Sequence, residues 1–190
     1  MNYFVIFLGA MLVNNIVLVQ FLGICPFLGV SSRISTAIGM GLAVMFVMTI
    51  ATIAAYLIQV FLLVPLSLEF LQTVAFILVI ASLVQLVDIV MKKVSPPLHR
   101  ALGVFLPLIT TNCAILGVAL LIMNREYNLA ESIVFAIASA LGFALALFIF
   151  AGLRERLELY DVPKAMQGAP IALVTAGLLA LAFMGFAGLA

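Results

Sequence analysis

Cys25-Pro26-Phe27-Leu28-Gly29-Val30 returns 88 residues later as Cys113-Ala114-Ile115-Leu116-Gly117-Val118. Four of the six positions are identical, and the two copies contain both cysteines of the chain. Each copy lies in an apolar stretch and is entered through residues that interrupt a helix. Gly23 and Pro26 bracket the first cysteine; proline removes a helical hydrogen bond and suits the first position of a new helix. Pro107, Thr110, Thr111 and Asn112 lead into the second, and asparagine is a favoured helix N-cap. The expectation is a pair of broken helices, the first half-helix capped by Cys25 and the second entered through Asn112 into Cys113.

Around these copies the chain is very apolar. Of 190 residues, 67% are hydrophobic and 8% are charged, against about 25% charged in a soluble domain; the mean hydropathy is +1.43. This excludes a water-soluble globule, a free-standing cytosolic enzyme and a nucleic-acid binder. With a net charge of +1, no basic patch points to phosphate partners. Charged residues cut the sequence into uncharged runs at Met1–Ser32, Ile34–Leu68, Phe70–Val87, Ala101–Asn124, Ser132–Leu153 and Ala165–Ala190. Each run is long enough for a membrane-crossing helix of about 20 residues. Lipid offers unpaired backbone groups no partner, so the runs are expected to be helical. The fold class read here is an all-α integral membrane protein of six transmembrane helices, with helices 1 and 4 broken. The connections are too short to hold a soluble domain. Gly39-Met40-Gly41 lacks a preceding strand and is no dinucleotide fingerprint.

Charge fixes a direction. Loops one, three and five carry Arg33, then Lys92, Lys93 and Arg100, then Arg154, Arg156 and Lys164, whereas the other side has only Arg125. Positive residues collect on the cytoplasmic side, so both termini are expected outside, in a bacterial cytoplasmic membrane. The first run has no basic segment before it and is interrupted by Asn14 and Asn15, unlike a cleavable signal peptide. Placing the repeat on this topology divides the spans three plus three, as residues 1–95 and 96–190 of one membrane domain, with Lys92–Pro97 as linker. An odd number of spans inverts the second half about an axis in the membrane plane. That symmetry would bring both cysteine segments together near mid-membrane.

Free cysteine is commonly a small buried hydrophobe, but symmetric placement at two helix breaks favours a ligand role. The positive end of a helix dipole favours thiolate, the form that binds metal. Two thiolates are half of a four-cysteine iron–sulfur ligand set, so Cys25 and Cys113 are the candidate metal ligands and another chain must complete the shell. Gly23, Pro26, Thr110, Thr111 and Asn112 are candidate cluster-supporting residues. Asp88, one turn before Lys92, reads as half of an interfacial ion pair; with Asn14 and Asn15 it is also the candidate for an ion path. Small residues recur at every fourth position in Ala138, Gly142, Ala146 and in Ala172, Ala176, Ala180. Such ridges serve close packing within the chain or against a partner. Arg154-Glu155-Arg156 with Glu158 reads as a solvated turn or a docking surface.

Several motifs together carry a family resemblance: Asn14-Asn15, Phe21-Leu22-Gly23, Cys25-Pro26-Phe27, Gly39-Met40-Gly41, Leu106-Pro107-Leu108-Ile109-Thr110-Thr111-Asn112-Cys113-Ala114, Arg154-Glu155-Arg156 and Asp161-Val162-Pro163. The sequence closely resembles, along its whole length, the A-type membrane subunits (RnfA) of bacterial Rnf electron-transport complexes. The E-type subunits of the sodium-pumping NADH:quinone oxidoreductase form a sister family with a weaker likeness. The resemblance implies a membrane electron-relay subunit of a ferredoxin:NAD oxidoreductase that moves Na+ or H+. It implies that Cys25 and Cys113 hold half of a [2Fe–2S] cluster, with two further cysteines from a related, oppositely oriented E-type (RnfE-like) subunit. It also implies that the B, C, D and G subunits are the remaining partners and that flavin and NAD sites lie on other chains, so this chain alone is non-catalytic. Two readings from other classes stay open on the residues themselves: a small secondary transporter built on inverted repeats, and a passive assembly scaffold.

Overall fold

The computed structural model describes residues 3–66, 69–94, 108–109, 111–160, 163 and 166–188. Every regular element among them is helical. Helix α1 (Tyr3–Leu8) runs on through one π turn, Gly9–Val13, and stops at Asn14. The chain resumes as the short α2 (Ile24–Val30). Helix α3 (Ile34–Ile58) is prolonged by a π turn at Gln59–Leu63 and a last turn at Val64–Leu66. A 3-10 turn, Glu69–Leu71, leads into α4 (Gln72–Val94). Then come α5 (Cys113–Asn124), α6 (Leu129–Leu157) and α7 (Ala169–Met184), which ends in a 3-10 turn at Gly185–Gly188.

Among the described residues, two segments are long and apolar enough to cross a membrane: Ile34–Leu63 with 30 residues and Leu129–Leu157 with 29. At a rise of 1.5 Å per residue each reaches about 45 Å, more than the hydrocarbon core. Tyr3–Val13, Gln72–Leu86, Cys113–Asn124 and Ala169–Met184 are shorter apolar helices. Every apolar run of the sequence therefore contains an apolar helix, and the first run is interrupted at its centre as expected. The approach to the second break falls partly outside the described residues, which exclude Pro107 and Thr110, as well as His99, Arg100, Asp161, Val162 and Lys164.

Helices α3 and α6 form the centre of the packing. A methyl group built on Gly41 would stand 2.9 Å from the Ala144 Cβ, so the two backbones nearly touch there. They run antiparallel: Ser32, Arg33, Ile34 and Ser35 at the start of α3 line one cleft with Glu155 and Glu158 at the end of α6. The first half of helix 1 lies parallel to α6, with Met11 and Asn15 against Gly142. Phe4, Val5 and Leu8 share an apolar pocket with Phe186, so residues near both chain ends meet. They lie at the end of the bundle opposite Arg33 and Arg154.

The core is apolar and tight. Phe27, Met40, Met48, Phe76, Ile115, Phe143, Leu147 and Phe150 are fully enclosed. So are Ala138 and Ala146, which with Gly142 put the first small-residue ridge inside the chain. Close packing, not a partner face, accounts for that ridge. The outward residues are just as apolar: Leu42, Phe46, Phe61, Phe70, Leu78, Leu86 and Leu181 are all exposed. Only 39% of the most apolar stretch of α3 is buried within the chain. Apolar surface on this scale calls for lipid or neighbouring subunits.

Candidate metal centre

The break in helix 1 is built around Asn15, which has no exposed surface. Its Nδ2 donates to Gly142 O at 2.8 Å and to Met11 O at 3.3 Å; its Oδ1 accepts from Val17 N at 3.1 Å and Leu18 N at 3.3 Å. One amide thus supplies partners on both sides of the interruption and ties it to α6. Asn14 only ends the π turn, its N–H donating to Gly9 O at 2.7 Å. The next residues form irregular turns up to Phe21, which sits at φ 55, and Gly23, at φ 82.

Gly23 is the N-cap of α2, so Ile24 is the first helical residue, Cys25 the second and Pro26 the third. The expectation that Cys25 caps this half-helix is corrected. The physical reason is that the first helical N–H groups have no intrahelical acceptor, so Pro26 sits in the first turn without losing a bond. The first bond of the helix is Phe27 N to Gly23 O, 3.3 Å. The second expectation holds: Asn112 caps α5, its Oδ1 accepting from Ala114 N at 3.0 Å. Cys113 is the first residue of α5, and its Sγ lies 3.8 Å from Thr111 O. Both cysteines are free and exposed.

The two segments that carry the repeat cross, each copy packing against the residues that lead into the other. A Cβ on Gly23 would come within 3.0 Å of Ala114 Cβ, 3.0 Å of Asn112 Oδ1 and 3.1 Å of Phe143 Cε2. Gly117 faces Leu22, and Gly29 faces Leu108. As one segment advances from Leu108 to Gly117, its contacts retreat from Gly29 to Leu22, so the segments cross antiparallel. Cys113 stands between the two residues that touch Gly23, and Cys25 follows two positions after it. The donor set is therefore two exposed thiols in the first turns of facing half-helices. Among the described residues there is no group of three or more Cys, His, Asp or Glu suited to hold a metal ion. In number and chemistry two thiols match half of a four-thiolate ligand set, a set that the described residues of this chain do not complete.

The far end of α2 is also held, by a residue whose sequence context reads as a solvated turn or a docking surface. Arg154 is half-buried, and its Nη1 donates to Leu28 O and to Ser31 Oγ, both at 2.8 Å. It lies over Phe150, which stacks on Phe27 with ring centroids 4.3 Å apart. Thr36 Oγ1 donates to Val30 O at 3.1 Å, so side chains satisfy two carbonyls at this helix end. The hint in the sequence was an arginine directly after an apolar run; its distant acceptors had no local signal. Arg156 and Glu158 are exposed, as expected. Asp88 pairs with Lys92 at 2.9 Å across one turn of α4, remote in sequence from both cysteines.

Comparison with known proteins identifies the family of the chain. The family model described as Rnf-Nqr subunit, membrane protein, matches residues 3–190. A relative from Syntrophotalea carbinolica, named as the A subunit of an ion-translocating oxidoreductase complex, is 59% identical over 188 residues, covering 99% of this chain and 97% of its own. One from Acetobacterium woodii, named as the A subunit of a Na(+)-translocating ferredoxin:NAD(+) oxidoreductase complex, is 59% identical over 189 residues, covering 100% and 98%. A third, from Vibrio atlanticus, bears the same name as the first and is 56% identical over 188 residues, covering 99% and 98%.

Proposed function

Because the chain belongs to the Rnf-Nqr family of membrane subunits, we propose that it is the A-type subunit of an ion-translocating ferredoxin:NAD oxidoreductase complex and relays electrons within the membrane. In this reading Cys25 and Cys113 supply two of the four thiolates of a [2Fe–2S] cluster, and a related, oppositely oriented subunit supplies the others. The bound cluster would contribute one-electron transfer inside a low-dielectric medium. The chain's own residues hold the ligands. Gly23 lets the two half-helices approach, Asn112 starts α5 at Cys113, and Arg154 with Ser31 fixes the end of α2 beyond Cys25. Six spans arranged as inverted halves, 1–95 and 96–190, go with this proposal, as do a place in the bacterial cytoplasmic membrane with both termini outside and assembly with the remaining subunits of the complex.

The observation that carries the reading is the antiparallel contact at Gly23, which brings two exposed, repeat-related thiols to one crossing. The likeness to proteins whose names specify ion-translocating oxidoreductases supports it. The test is to purify the whole complex with Cys25→Ser or Cys113→Ser in this chain. Iron is then counted, and the electron paramagnetic resonance spectrum of the reduced state recorded. Either substitution is expected to remove one cluster signal and stop electron transfer while the subunits still co-purify. A Cys25→Ser complex that keeps its full iron content and signal would sink the proposal.

A further inference from the structure

The two ends of the Asn112 amide are treated unequally. The residue is 4% exposed. Its Oδ1 makes the cap to Ala114 N, whereas Nδ2 is fully enclosed and donates to nothing. Buried donors are almost always paired, and one left alone destabilises the fold. Capping does not call for it, since serine, threonine or aspartate offers the same acceptor. The amide lies where the two broken segments cross: its own Oδ1 is 3.0 Å from the position of a Gly23 Cβ. Cys113 is the next residue, and Cys25 lies two beyond Gly23. A neutral thiol is a weak acceptor and a thiolate a strong one.

We propose that Asn112 is a positioning residue whose buried side-chain N–H donates to a ligating cysteine sulfur when that sulfur is a metal-bound thiolate, and that this bond raises the reduction potential of the cluster. The inference rests on the reading of Cys25 and Cys113 as cluster ligands. A donor aimed at a ligand sulfur withdraws electron density and stabilises the more negative, reduced state. The amide that is unsatisfied without the cluster thus gains its acceptor when a cysteine sulfur is held as a ligating thiolate.

The test uses the intact complex carrying Asn112→Ser, which keeps a cap acceptor and deletes the amide donor. Iron content is expected to stay at the wild-type level. In a redox titration followed by electron paramagnetic resonance, the one-electron equilibrium is expected to move about tenfold toward the oxidised form, about 59 mV. A second measurement needs no variant to fold. In wild-type complex labelled with 15N at the asparagine side chains, pulsed electron paramagnetic resonance should detect coupling of the reduced cluster to a side-chain nitrogen. An unchanged potential with full iron, or no such coupling, overturns the inference and leaves the ligand assignment standing. A wild-type signal that survives loss of Cys25 and Cys113 overturns the ligand assignment itself.

Discussion

Replacing Gly23 by alanine tests the crossing on which the candidate site is built. Two terms oppose the change. Gly23 holds φ 82 and ψ 27, a left-handed conformation that disfavours any L side chain by about 1–2 kcal/mol. The added methyl would also meet Ala114 Cβ at 3.0 Å, Asn112 Oδ1 at 3.0 Å and Phe143 Cε2 at 3.1 Å. All three neighbours belong to buried residues, and overpacking a closed site costs about 1–3 kcal/mol. The sum is about 2–5 kcal/mol, which for a chain of this length lowers the thermal midpoint by about 4–20 °C. The assay is thermal unfolding of the detergent-solubilised complex, with iron content measured in parallel. Because the methyl wedges the half-helices apart beside both cysteines, iron is expected to fall along with stability. Gly152→Ala and Gly177→Ala are the controls, since a methyl at either has no neighbour within 4 Å; both should melt close to wild type. A Gly23→Ala complex with an unchanged midpoint and full iron would refute the argument from the crossing.

Two other predictions probe what holds the break in place. Asn15→Leu keeps the branched shape but leaves Met11 O, Gly142 O, Val17 N and Leu18 N without their partner. At about 1–3 kcal/mol for each buried group left unpaired, the protein is expected to lose most of its protease-resistant yield in membranes, and wild-type resistance would contradict this role. Arg154→Met removes the donor to Leu28 O and Ser31 Oγ; hydrogen bonds from charged donors are each worth about 1.5–3 kcal/mol. A clear drop in thermal midpoint is expected, with Arg154→Lys recovering only part of it because an ammonium keeps the charge but not the planar guanidinium that lies over the Phe150 ring.

What the sequence discloses here is local, and what it hides is distant. The break before Cys113 was readable because Asn112 caps a helix through a group two residues away. The ion pair of Asp88 with Lys92 was readable because both sit on one helix face. Arg154 looked solvated because its acceptors, Leu28 and Ser31, lie 126 and 123 positions away. Asn15 reads from sequence as a candidate for an ion path, and its structural role was hidden for the same reason, its shortest bond reaching 127 positions to Gly142. The start of α2 was misplaced by a different ambiguity. Pro26 is compatible with any position in a first helical turn, and only the left-handed conformation of Gly23 decides among them. The repeat hinted that the two cysteine segments would meet, yet its six matched positions held no information on the glycine contacts through which they do.

Helix α2 is seven residues long, a rod of about 10 Å. One end is seated at Gly23 in a socket too tight for a methyl group; the other is gripped by Arg154. Arg154 ties that far end to α6, next to the cleft that Ser32 and Arg33 line with Glu155 and Glu158. Both ends of the cysteine-bearing rod are thus anchored on α5 and α6 rather than on the chain immediately before and after it, so the place of Cys25 is set by residues more than eighty positions away.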